Sequence, residues 1–169
     1  SIFHEKIMNK NKIVVVIEDE KNNIFGAYID KQIDKIINLL DNSWSEKTIE
    51  DLYSFVFSIQ RNGHEEPMKF DIKWNCDEHA FQLFPQDSDL LCIVGNSDIC
   101  LYKHHMRDNC YCNQYAFDYK NKENVLVAKE GKENKFTINH LQVFQMEYTE
   151  EQKRKKEEQL QKKFEEESN

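Results

Sequence analysis

Leu52-Tyr53-Ser54-Phe55-Val56-Phe57-Ser58-Ile59-Gln60 sets Tyr53, Phe55, Phe57 and Ile59 against Ser54, Ser58 and Gln60 at period two. Side chains of a β-strand point alternately to its two faces, so this stretch predicts a half-buried strand with its aromatic side turned to the core. Upstream, residues 13–17 are a continuous Ile/Val run, Glu18 to Asn23 are polar, and 24–29 resume an extended pattern. This predicts a β-hairpin whose first strand is buried on both faces. Asp30 caps a predicted helix in which Ile33, Ile36, Ile37 and Leu40 share one face, ended by Asp41-Asn42-Ser43. Downstream, 61–67 read as a turn, 68–74 as a strand with Phe70, Ile72 and Trp74 on one side, and 81–84 as a strand stopped by Pro85. Leu90–Val94 and Ile99–Tyr102 flank Gly95-Asn96-Ser97-Asp98 as a hairpin, and further strands are expected at 115–119 and 141–147.

Many short strands with few helices predict an α+β protein built on antiparallel sheets. The expected core is Val14, Val16, Phe55, Phe57, Ile59, Leu91, Ile93, Phe117 and Val143. With 169 residues, 39% hydrophobic and eleven Phe, the chain can bury one substantial core, and no Pro/Gly/Ser-rich stretch divides it. A formal net charge of -8 opposes binding to a phosphate backbone, which rests on clustered Lys and Arg. No apolar run is long enough for a membrane span. The first residue is Ser rather than Met, which leaves an upstream segment open. Five cysteines, odd in number, and the lack of an N-x-Ser/Thr sequon predict reduced thiols and a cytoplasmic or nuclear protein.

Four blocks occur in order: Phe25-Gly26-Ala27-Tyr28, the 52–60 strand, Asp89-Leu90-Leu91-Cys92-Ile93, and Phe136-Thr137-Ile138-Asn139-His140-Leu141-Gln142-Val143-Phe144. In order and spacing, over residues 13–146, they resemble the TLDc family of oxidation-resistance and vacuolar-ATPase-regulating proteins, and a protozoan member of it. The resemblance implies a two-sheet β-sandwich with flanking helices over residues 1–148. It also implies a non-enzymatic protein-interaction and regulatory module, linked to stress response and oxidative-stress protection, with a vacuolar-ATPase subunit as partner. Family members begin with a helical segment and a strand before the first block; only Ser1 to Lys10 stand there, so the N-terminal edge is expected to be incomplete. Where the family carries an acidic residue in its last block this chain has Gln142, which makes Gln142 an interaction candidate. A glycine like Gly26 recurs in the family, and its expected role is close backbone packing.

Residues 149–169 form a separate segment. Thr149 with Gln152 makes a capping box, and Glu150/Arg154, Glu151/Lys155 and Glu158/Lys162 are favourable i,i+4 pairs, which predicts a charged helix. Only Leu160 and Phe164 are apolar there, so weak docking of the helix is expected through those two side chains, the remaining interaction candidates. The basic run Lys153-Arg154-Lys155-Lys156 is flanked by glutamates.

Soft ligands cluster at Cys100, His104, His105, Cys110 and Cys112, although the spacing is not that of a zinc knuckle. His104, His105, Cys110 and Cys112 are therefore the candidate metal ligands, and the His104 to Cys112 loop supports an alternative reading as a thiol- or metal-based redox sensor. Cys110 and Cys112 are expected to point to opposite faces of a strand. Asp77, Glu78, Asp87, Asp89 and Asp98 are carboxylates without EF-hand spacing. Ser54 and Ser58 lie in a strand without a nucleophile elbow, so no catalytic residue and no cofactor are expected. A further alternative is an acidic nucleic-acid-associated regulator. The domain is expected to be a monomer.

Overall fold

A computed structural model describes residues 2–34, 48–127 and 134–168. Helix α1 (Ile2–Ile7) precedes strands β1 (Ile13–Asp19), β2 (Ile24–Ile29), β3 (Phe55–Arg61), β4 (His64–Asp71), β5 (Phe81–Leu83), β6 (Leu90–Val94), β7 (Ile99–Tyr102), β8 (Cys110–Cys112), β9 (Lys135–Phe136) and β10 (Ile138–Gln145), and helix α2 (Glu150–Glu167) ends the chain. Two five-stranded antiparallel sheets result, ordered β10-β1-β2-β3-β4 and β5-β6-β7-β8-β9. This is the α+β sandwich expected of the sequence. Their inner faces share one apolar core. Phe25 of the first sheet meets Phe136 of the second edge to face, at 5.2 Å between ring centroids.

The face that β3 turns inward is the opposite of the one expected. Val56 and Ser58 are buried, Phe55 and Phe57 are half-buried on the outer side, and Ile59 is 43% exposed. Pairing with β2 explains the reversal: Phe57 lies opposite Gly26 and Phe55 opposite Tyr28, while small Val56 lies opposite Ala27. Phe25 already fills the interior beside Ser58, and the large rings are accommodated outside. The β-carbon of any other residue at 26 would stand 1.9 Å from the Val15 carbonyl oxygen and 2.8 Å from the Phe57 ring. Gly26 is thus a packing glycine, as expected.

Strand β1 alternates rather than burying both faces: Ile13, Val15 and Ile17 are buried, whereas Val14 and Val16 are half-buried with the outer residues of β3. Ile93 and Val143 are also half-buried, while Leu91 and Phe117 lie in the core as expected. The turn expected over 61–67 shrinks to Asn62-Gly63, whose φ of 48° and 80° suit a two-residue hairpin. Consequently β4 begins at His64 and contains Pro67, which an edge strand tolerates. The strand expected at 68–74 ends at Asp71; Ile72 makes a single bridge to Phe117, and Trp74 is 65% exposed. That bridge is all that forms of the strand expected at 115–119, and β8 supplies the second sheet instead. Through Asp34 the chain is not helical, and the remainder of the helix expected after Asp30 lies outside the described residues.

Three buried carboxylates organise the connections. Asp19 accepts from the backbone N–H of Lys21 and Asn23, Asp51 from those of Asp30, Lys31 and Tyr53, and Asp98 from Asn96, Tyr115 and Ala116 and from the Tyr119 hydroxyl. Burial raises all three carboxyls above their ordinary value, and these donors oppose the shift.

Truncating Phe25, fully buried, to Ala is expected to lower unfolding free energy by about 3–5 kcal/mol, whereas Ile59→Ala on the outer face should cost well under that, about 1 kcal/mol or less. Denaturant titration of both variants checks the inverted face of β3, because an inward-facing Ile59 would make the two costs alike.

Candidate functional site

The outer face of the first sheet carries a row of aromatic side chains, and α2 lies across one end of it. Tyr28 stacks on its cross-strand partner Phe55, with centroids 4.9 Å apart and planes inclined by 24°, and Tyr148 meets Tyr28 edge to face at 6.4 Å. Lys156 of α2 enters this cluster. Its Nζ lies 4.8 Å from the Tyr28 centroid, 4.8 Å from that of Tyr53 and 5.0 Å from that of Tyr148. It also donates to the Tyr28 hydroxyl at 3.0 Å and pairs with the Asp30 carboxylate, which accepts from Tyr28 Oη at 2.5 Å. Each ring attracts the ammonium through its quadrupole. Burial, followed by the hydrogen bond to Asp30, holds the Tyr28 phenol well above its ordinary value, and burial raises Tyr53 as well. The Asp30 carboxylate is thus shared between the ammonium and the Tyr28 hydroxyl.

Sequence folds each part into place. The period of β2 puts Tyr28 outward beside Phe55, and the Asp51 carboxylate fixes the backbone of both Asp30 and Tyr53. Tyr148 stands immediately before the capping box, in which Thr149 and Gln152 each bond the backbone N–H of the other, as expected. Along α2, Gln152, Lys156, Leu160 and Lys163 recur at helical spacing and line the groove over the sheet. Lys163 reaches Asp71 at 3.6 Å. Docking thus centres on Lys156, a residue that the sequence presents only as part of a basic run; Leu160 is half-buried and Phe164 is 46% exposed beside Leu52, Ile72 and Trp74. Leu160 and Phe164, the two side chains expected to dock the helix weakly, thus both meet the sheet side, and Lys156 is an anchor in addition to them. A stripe whose anchor is cationic produces little apolar periodicity, which hid it. Gln142 sits elsewhere on the same sheet face, exposed on β10 opposite Val16.

The other candidates are dispersed. Cys110 and Cys112 are both buried on the inner face of β8, contrary to the expected divergence, because residues two apart on a strand share a side. His104 and His105 are exposed in a 3-10 segment, and His105 Nε2 lies 2.9 Å from Asp89. Among the described residues no three His, Cys, Asp or Glu side chains gather as metal ligands. Burial pushes the Cys110 thiol up to about 11, raises Cys100, and carries Cys92 and Cys112 well above the ordinary cysteine value.

The family model described as the TLDc domain matches residues 1–147, so the match ends just before α2. No curated protein matches the chain. Among the described residues no helix is long and apolar enough to cross a membrane.

A thiol-specific reagent at pH 8 is expected to label half-buried Cys76 and spare the other four cysteines, since only about a thousandth of a thiol titrating near 11 is then ionised. The raised thiols ionise more readily in the unfolded chain. The contribution of Cys110 to stability is therefore complete below the ordinary value of 9.0 and lost as pH rises through about 11, and the other raised thiols act in the same direction. Mass mapping of labelled cysteines and melting curves across that window check both statements.

Proposed function

The chain belongs to the TLDc domain family, and we propose that it acts as a non-enzymatic regulatory module that docks onto the vacuolar ATPase and contributes to oxidative-stress protection. The observation that carries this reading is the family match over the whole sandwich, residues 1–147. Phe144, Ile59 and Met146 are apolar side chains left 49%, 43% and 41% exposed, which a docked partner could cover. A non-enzymatic role is supported by the fates of the candidate nucleophiles, since the Ser54 hydroxyl donates to the Asp51 carbonyl and Ser58 lies in the core. A regulator of that ATPase would work in the cytoplasm.

Redox sensing through the His104 to Cys112 loop draws no support from thiols that burial keeps protonated. Nor does nucleic-acid binding gain from the basic run of α2. Lys153 pairs with Glu150, Lys155 with Glu151, Arg154 with Glu158 and Lys156 with Asp30, so each charge is already answered within the protein.

Purified chain added to vacuolar membranes is expected to co-sediment with the ATPase and to change the rate of ATP-driven acidification at least about twofold, a barrier change of roughly 0.4 kcal/mol. Unaltered pumping together with no enrichment of the chain on those membranes would overturn the reading.

A further inference from the structure

We propose that Tyr28, Tyr53, Tyr148 and Asp30 form an ammonium-binding cage, which α2 fills in cis with Lys156 and which a lysine-bearing helix of a protein partner occupies in its place. Three ring centroids within 5.0 Å of one Nζ, with a carboxylate and a hydroxyl as acceptors, supply each interaction that an alkylammonium can make. Tyr28 gives its proton to Asp30 and so presents a lone pair to the incoming N–H. Because two of the contacts to the ammonium are hydrogen bonds from N–H groups, the cage suits a primary ammonium rather than a quaternary one.

The receptor and its occupant are built differently. Tyr28 lies on β2 and stacks on Phe55, and the backbone of Asp30 and Tyr53, in the connections next to β2 and β3, is fixed by Asp51, so three members of the cage are placed by contacts that do not involve α2. Lys156 belongs to a helix with few other attachments: Leu160 is half-buried over the groove, Phe164 is 46% exposed and the Lys163–Asp71 pair is open to water. Exposed ion pairs contribute little. A helix held at one anchored lysine can be exchanged for another that offers the same anchor.

The occupant also defines the chemistry of its competitor. Lys156 meets Asp30, Leu160 lies over the groove and Lys163 meets Asp71, at relative positions i, i+4 and i+7. A partner helix with lysine, an apolar residue and lysine at that spacing would present the same stripe to a sheet face with a carboxylate at each end. This inference rests on the docking function proposed above for the existence of a partner, and adds where and by what chemistry the partner is held.

The test needs only this protein. A fluorescent peptide of residues 149–168, and the same peptide with Lys156→Ala, are titrated by anisotropy against the full chain carrying Lys156→Ala, with Lys156→Gln as a second host. The unaltered peptide is expected to bind either host about tenfold more tightly than its Ala counterpart, the effect of a desolvated cation over aromatic rings. It should bind the native chain more weakly than the hosts, because Lys156 there competes in cis, and adding Tyr53→Ala to a host should abolish the difference between the peptides. Equal affinity of the two peptides for both hosts, or no binding of either, would overturn the proposal. Neither titration contains the ATPase, so the cage can fail while the membrane experiment succeeds, and the reverse.

Discussion

The register between β2 and β3 governs both faces of the first sheet. Placing Gly26 opposite Phe57 lets an aromatic ring lie over bare backbone, and the same pairing sets Tyr28 against Phe55. Were the register shifted by one residue, the rings would enter an interior already filled by Phe25 and Phe136, and the outer face would lose its aromatic row. Through this single constraint the interior receives Val56 and the exterior receives the platform on which α2 rests. Packing and surface chemistry are therefore two results of one strand pairing.

Much of this architecture is legible in the amino-acid sequence, and the failures have identifiable causes. The β1–β2 and β6–β7 hairpins, the last strand and the capped terminal helix follow from alternation, turn residues and the Thr149/Gln152 box. Periodicity shows that β3 has two unlike sides, yet it does not say which faces the core, and aromatic content is a poor guide when a helix covers the outside. The Asn62-Gly63 pair was masked by neighbouring polar residues and Pro67, although an edge strand accepts both. The cage was not legible at all. Its members come from 28, 30, 53, 148 and 156, far apart in the chain, and its central residue carries a charge of the kind that sequence reading assigns to solvent.

Asp19, Asp51 and Asp98 illustrate a second use of polar residues in this fold. Each carboxylate gathers backbone N–H groups from a connection that lacks regular hydrogen bonding, so loops are fixed without a cross-link. Asp51 matters doubly, since the segment it ties down contains Asp30 and Tyr53. Rigidity at the cage is thereby derived from a residue that does not touch the ammonium.

The placement of β1 between β2 and β10 makes the completion of its pairing depend on a strand more than a hundred residues away. Its contacts with β2 are local, but its other edge pairs Ile13 with Gln145 and Ile17 with Leu141, across almost the whole chain. During synthesis the β1 to β4 meander is available early, whereas the Ile/Val-rich edge of β1 waits with unpaired N–H and C=O groups until β10 emerges. Closing so long a loop is entropically slow, and an apolar strand with a free edge is a template for pairing with other chains. Until β10 pairs with it, the edge of β1 is therefore open to other chains, and the strand that closes it lies directly before α2.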